Sequence, residues 1–291
     1  AGLFPQRPNW DGLLPVPGDG RFEWNGFFDM DVLPVEYNPP RGFTGTANSM
    51  NLPKDYPIES YPMALEWTEP WRYDRLWQVL SAQDEHTLAD SAALQRDVRS
   101  LRAAAVIGRL PESIDNRAAT LFRDWDGLLA PDSAAAALFV IWLQRHLTPA
   151  LEATLYPDDP ELFASMDTRV ALQMMQQPAL KELIEQTLDD AWDDAVDELG
   201  EDPAAWRWGT VHHTNFRHPL LDLAGAELAG DLRMLEHPRG GSGATTNATG
   251  SNSDALEVDR GASYRQVIDV GNWDASRMTN APGQSGDPRS P

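Results

Sequence analysis

The sequence predicts an α+β protein with a large helical middle, and three observations carry that expectation. Residues 1–61 hold nine of the 23 prolines, with many glycines and short aromatic runs such as "RFEWNGFF", the composition of strands and turns. From 62 to about 200 the apolar residues take a helical period. Residues 201–291 become irregular again and include a strand-like alternation. Three segments are therefore expected, 1–61, 62–200 and 201–291.

Within the helical segment, "TLADSAALQRDVRSLRAAAVIGRL" opens on Thr87 as an N-cap and places Leu94, Val98, Leu101 and Ala105 on one helical face. "DSAAAALFVIWLQRHL" is Ala-rich with a nearly continuous apolar middle, the pattern of a buried helix. "PALKELIEQTLDDAWDDAVDEL" sets Pro178 in a first turn and repeats Leu180, Leu183, Ile184, Leu188 and Trp192. After Gly200, residues 239–254, "RGGSGATTNATGSNSD", show no periodicity, whereas "SYRQVIDV" alternates as a strand does. There are no internal repeats.

Composition excludes several function classes. The 291 residues suffice for a large core, and 42% hydrophobic residues with 11 Trp argue against wholesale disorder. No run of eighteen apolar residues occurs, so no membrane span is expected. The opening "AGLFPQRPNW" has neither the basic start nor the apolar core of a signal peptide. Without cysteine there are no disulfides or thiolate metal sites, which suits a cytoplasmic or an exported bacterial protein. The net charge of −22, with Lys54 and Lys181 as the two lysines, repels phosphate backbones and argues against a nucleic-acid partner. A solvated acidic face explains that charge more simply than halophily does.

Several constellations look chemical and yield to plainer explanations. His213 and His218 stand five apart, a step that turns two rings about 140° from each other on a helix. Zinc-finger spacing would need cysteines as well. His212, His213 and His218 are therefore expected in packing or loop hydrogen bonds. Asp189, Asp190, Asp193, Asp194 and Glu198 lie on a helix without the alternating ligands or central Gly of a calcium loop, and are expected on a solvated face. "RGGSGATTN" lacks the lysine of a phosphate loop. The sequon at Asn247 matters only in a glycosylating host. No serine sits in a Gly-x-Ser-x-Gly elbow, and "GQSGD" around Ser285 fails the spacing.

One stretch stands apart. "YNPPRGFTGTANSMNLP", residues 37–53, pairs two prolines, brackets Phe-Thr between Gly42 and Gly45, and brings Asn48, Ser49 and Asn51 together. An amide-rich loop beside a helical scaffold is where function concentrates. Extended to "YNPPRGFTGTANSMNLPKDYP", it resembles a signature segment of the penicillin acylase family of N-terminal nucleophile hydrolases. "RPNWDGLLPVPGDGRFEWNG", "EPWRYDRLWQVL", "LQRDVRS", "WGTVHHTNFRHPL" and "YRQVIDVGNWDASRMTNAPGQSGDPRSP" resemble further family segments in the same order. Together they run from about residue 7 to 291.

That resemblance implies an αββα sandwich with a large helical segment, and hydrolysis of linear acyl amides. β-Lactam side-chain amides and N-acyl-homoserine lactones are both candidate substrates. Matching the family's Asn-Pro-x-x-Gly frame on Asn38, Pro39 and Gly42 places its oxyanion-hole asparagine on Asn48. The family's active-site arginine falls on Arg72, with Arg75 as an alternative register. A structural calcium is common in the family, most of its ligands falling upstream, with Glu59 as a local candidate; no cofactor is implied for catalysis.

Two departures bear on the whole site. The family's nucleophile is a Ser or Cys exposed by autoproteolysis at the start of a β chain, its own α-amino group serving as base. Ala1 and Gly2 resemble the middle of that β chain, and no residue matches the nucleophile or the other oxyanion donor. Beyond Ser290 and Pro291 the family usually continues with a His-Tyr pair. The resemblance thus implies a fragment whose partners are the α chain and the N-terminal part of the β chain, with apolar surface exposed where they dock. Periplasmic or extracellular location follows from the family alone. The rival reading is a non-catalytic binding module in which Trp10, Trp24, Trp67, Trp71 and Trp77 form an aromatic platform, although buried tryptophans explain the same residues.

Overall fold

The computed structural model describes residues 3–158, 166–216, 236–251 and 255–281, with positions 218, 220–223, 225, 230, 232, 283 and 285. Ala1, Gly2, Arg217, Pro219, residues 252–254, Ser290 and Pro291, all used in the sequence argument, lie outside the described residues. The α+β class expected from the sequence is what the structure shows. The chain forms two compact units, Ala1–Tyr73 and Asp74–Pro291, and each is described by itself.

Prolines and glycines keep the first unit open. Its regular structure is one short antiparallel pair, β1 (Phe4–Pro5) with β2 (Phe27–Phe28). Phe28 stacks on Phe4 at 6.2 Å between ring centroids and meets Tyr61 edge-on at 5.5 Å. These rings tie the two ends of the unit together. Among its described residues no large apolar side chain is fully buried, whereas Val35 and Tyr37 are more than four-fifths exposed.

The second unit holds the core. Helix α1 (Trp71–Leu80) begins just after Pro70, and the unit boundary falls inside its first turn. α2 (Leu88–Leu94) starts with a capping box: Thr87 accepts from the Asp90 amide while Asp90 accepts from the Thr87 amide. The expected continuous face through Leu94, Val98, Leu101 and Ala105 does not form, because α3 (Leu101–Ile107) is a separate helix. Asp97 accepts the Arg99 amide, Arg99 bridges Leu128, and Ser100 caps α3 through the Ala103 amide. Local side-chain acceptors thus outbid helical propagation across 95–100.

α4 (Arg117–Arg123) is capped by Asn116, and α5 (Ala134–Ile141) by Ser133. Every residue of α5 from Ala135 to Ile141 is buried, as its unbroken apolar run requires. The helix continues as a π-helical segment, Trp142–Leu147, into α6 (Thr148–Leu155). Pro149 at the junction has no amide to donate, which favours a widened turn there. Beyond α7 (Thr168–Met174), a 3-10 turn at Pro178–Leu180 leads into α8 (Lys181–Leu199). Ile184, Leu188 and Trp192 of α8 face the core, and the Trp142 indole donates to Thr187 at 3.0 Å.

The acidic face of α8 is partly solvated and partly paired. Asp190, Asp193 and Glu198 are exposed, while Arg145 donates to Glu198 at 2.6 Å and to Asp194 at 3.2 Å, and Asn116 donates to Asp189 at 2.9 Å.

α9 (Trp208–Val211) brings Trp208 into the core, stacked on His212 at 4.3 Å. The aperiodic stretch after Arg239 is a closely packed polar loop. Ser242, Thr245, Asn247 and Thr249 are all buried. Asn247 donates to the Gly240 carbonyl at 2.8 Å, and Thr246 donates to the Leu94 carbonyl at 2.9 Å. The sequon at Asn247 is therefore closed in the fold. β3 (Thr249–Gly250) pairs with β4 (Arg260–Gly261). As the alternation of "SYRQVIDV" predicts, β5 (Tyr264–Val267) is a strand, antiparallel to β6 (Arg277–Asn280).

Candidate active site

The first unit places the loop asparagine on a fixed stage. Pro39 and Gly42 close a turn, with the Gly42 amide donating to the Pro39 carbonyl at 2.9 Å and Gly42 at φ +77°. Asn38 and Asn48 both occupy the left-handed region, at φ +44° and +62°, a conformation that asparagine tolerates better than most residues. Thr68 meets the loop at two successive carbonyls. Its amide donates to Asn48 at 3.1 Å, and its hydroxyl donates to Ala47 at 3.1 Å.

Four residues after Thr68, the Arg72 guanidinium donates from Nη2 to the Asn48 Oδ1 at 3.0 Å. Because a guanidinium only donates, the amide atom facing it must be the oxygen. The Asn48 Nδ2 group therefore points elsewhere as a free donor, and it has no partner among the described residues. A cation on the oxygen also polarises the amide and strengthens its N–H groups as donors. Burial lowers the Arg72 pKa from its ordinary value, yet an arginine keeps its charge in a protein.

Arg75, the alternative register, is engaged in the second unit. It grips the Asp97 carboxylate through Nε at 2.8 Å and Nη2 at 2.6 Å and donates to Gln78. Ser49, next to Asn48, is 3% exposed, and its hydroxyl has no partner among the described residues. Asn51 and Glu59 are exposed. Among the described residues there is no group of three or more His, Asp or Glu that could hold a metal ion.

His212 is accounted for by packing. His212 is fully buried, with Nδ1 2.7 Å from the Leu256 carbonyl and Nε2 3.2 Å from the Thr249 hydroxyl. Burial lowers its pKa to about 4, so it is neutral at pH 7. Of the five tryptophans of the rival reading, Trp24 is exposed, at 58%, and Trp10, Trp67, Trp71 and Trp77 are half-buried.

Sequence reasoning missed Thr68. It lies in the irregular segment before α1, and the signal available was its place four residues ahead of Arg72. Only the fold shows that it grips the loop.

The whole chain, residues 1–291, matches the penicillin amidase family. It is 32% identical over 311 residues to the penicillin acylase 2 proenzyme of Pseudomonas sp. (strain SE83), covering 99% of this chain and 39% of that protein. It is 27% identical over 336 residues to the acyl-homoserine lactone acylase QuiP of Pseudomonas fluorescens (strain Pf0-1), covering 100% of this chain and 39% of that protein. A thermostable penicillin G acylase from Alcaligenes faecalis shares the fold, with a TM-score of 0.50 and 21% identity over 70% of this chain and 45% of its own. The chain thus spans about two fifths of the length of the curated relatives it matches. No helix among the described residues is long and apolar enough to cross a membrane. From the match along its full length, the chain belongs to the penicillin amidase family.

Proposed function

We propose that these residues are part of an exported acylase that hydrolyses a linear acyl amide, and that they supply one half of its oxyanion hole. The observation that carries this reading is the Arg72–Asn48 hydrogen bond, which leaves the Asn48 Nδ2 group free to donate. An N-terminal Ser or Cys, contributed by a segment outside these residues, attacks the acyl carbon with its own α-amino group as base. Negative charge collects on the former carbonyl oxygen as the tetrahedral intermediate forms. The Asn48 N–H donates to that oxygen, and Arg72 holds the amide in place. Collapse breaks the C–N bond, and the amine leaves with a proton. Water then attacks the acyl-enzyme and regenerates the nucleophile.

The first unit supports the same reading from another side. A unit with no fully buried large apolar side chain, but with Val35, Tyr37 and Leu14 largely exposed, is suited to docking on further protein. The names of the relatives suggest two substrate classes, β-lactam side-chain amides and N-acyl-homoserine lactones. Glu59 would contribute at most one ligand to a calcium site completed elsewhere.

The test is to express the whole reading frame that contains these residues and to measure release of amine from penicillin G and from N-acyl-homoserine lactones. The reading expects turnover of at least one class, and loss of turnover when the N-terminal Ser or Cys of the processed chain is replaced. A folded, processed protein that turns over neither class would overturn it. So would a frame that starts immediately before Ala1.

A further inference from the structure

We propose that Thr68 is a positioning residue for catalysis, holding Asn48 in the left-handed conformation from which its amide reaches the oxyanion. The inference rests on the oxyanion role of Asn48 and adds the residue through which that role depends on the segment before α1. Asn48 sits at φ +62°, a backbone state that an L-residue leaves readily unless held. From residue 44 to 52, the hydrogen bonds to the loop backbone among the described residues are the two made by Thr68. One fixes the carbonyl of Asn48 and the other the carbonyl of Ala47, so they hold the two groups on either side of the N–Cα bond whose rotation is the Asn48 φ angle.

Arg72 cannot supply this restraint. It touches the end of the Asn48 side chain and orients the amide plane, but leaves the backbone free to turn. Thr68 holds the base of the side chain and Arg72 its tip. Catalytic donors must be held within a few tenths of an ångström to act on developing charge. The threonine hydroxyl is therefore worth more to the rate than to the fold. Thr68 is exposed, and an exposed side chain that loses a single hydroxyl seldom matters to stability.

The test is a kinetic cycle in the complete, processed enzyme with Thr68→Val, Thr68→Ser, Asn48→Gly and the Thr68→Val/Asn48→Gly double variant. Thr68→Val keeps the shape and the amide bond to Asn48 but removes the hydroxyl bond to Ala47. It should lower kcat about tenfold with KM changed by less than about twofold. Thr68→Ser should recover most of the loss. In the Asn48→Gly background, adding Thr68→Val should cost less than about twofold more, because a residue acting through Asn48 has nothing left to position. Thr68→Ala makes the same comparison if the valine variant does not fold.

Wild-type kcat in Thr68→Val would overturn the inference, and so would full multiplication of the two losses in the double variant. An Asn48→Gly enzyme with wild-type kcat would instead remove the oxyanion role itself, and this inference with it. The two failures are thereby distinguishable.

Discussion

Replacing Asn48 by glycine isolates the amide donor more cleanly than alanine does. At φ +62° an alanine would carry a left-handed backbone cost of about 1–2 kcal/mol, mixing strain with lost chemistry. Glycine takes that conformation freely. What goes is the Nδ2 donor and the Oδ1 bond to Arg72. That bond is exposed, so its loss should cost stability about 1 kcal/mol or less. An oxyanion donor is worth about 3–4 kcal/mol at the transition state, so kcat should fall by about 10²–10³. Asn48→Asp sharpens the result. A carboxylate keeps the bond to Arg72 but donates nothing and sets a negative charge beside the developing oxyanion. It should be at least as slow as the glycine variant, though closer to wild type in stability. The assay is steady-state amine release by the complete enzyme, with kcat and KM resolved and thermal midpoints measured alongside. Asn48→Gly or Asn48→Asp within about threefold of the wild-type kcat would refute the reasoning.

Three further outcomes follow from the same geometry. Arg72→Lys keeps a charge but loses the planar fork, and should lower kcat about tenfold; Arg72→Leu should lower it further, and equal rates in all three would deny Arg72 an orienting role. His212 has a folded pKa of about 4 against an ordinary 6.5. Between those values the unfolded chain binds the proton and the folded one does not, so stability rises with pH and is lost as pH falls from about 6.5 towards 4, by on the order of 3 kcal/mol. In His212→Gln, denaturant melts across that window should show a flatter slope; an unchanged slope would mean the imidazole is not kept neutral. Gly241 sits at φ +84°, where a Cβ would lie 2.0 Å from the Asn247 Oδ1. Gly241→Ala should therefore destabilise by more than about 3 kcal/mol, and a melt within about 1 kcal/mol of wild type would contradict the packing of the polar loop.

What could be read from the sequence depended on whether the cause was local. The apolar run of α5, the periodic leucines of α8, the Thr87 cap and the alternation before Val267 all state their structure in adjacent residues. The gap between α2 and α3 does not, because Asp97 and Ser100 act through side-chain acceptors that compete with a good helical period. Nor does the polar loop after Arg239. Its Gly, Ser, Thr and Asn residues resemble a solvated linker, and partners distant in sequence, the carbonyls of Leu94, Asp97 and Leu129 among them, turn them into buried packing. At the candidate site the resemblance singled out Asn48 and Arg72, which the structure places 3.0 Å apart, and left Arg75 as an alternative. The geometry engages Arg75 with Asp97 instead. Thr68 had no motif to mark it, since its contribution lies in which carbonyls it meets.

The most direct test of the central claim is a crystal structure of the complete enzyme with a transition-state analogue, such as a boronic acid, bound to the N-terminal nucleophile. The account predicts the Asn48 Nδ2 at about 2.7–3.1 Å from the analogue's oxyanion oxygen, with Oδ1 still on Arg72. An Asn48 amide turned away from that oxygen, or an oxyanion held entirely by other donors, would contradict it.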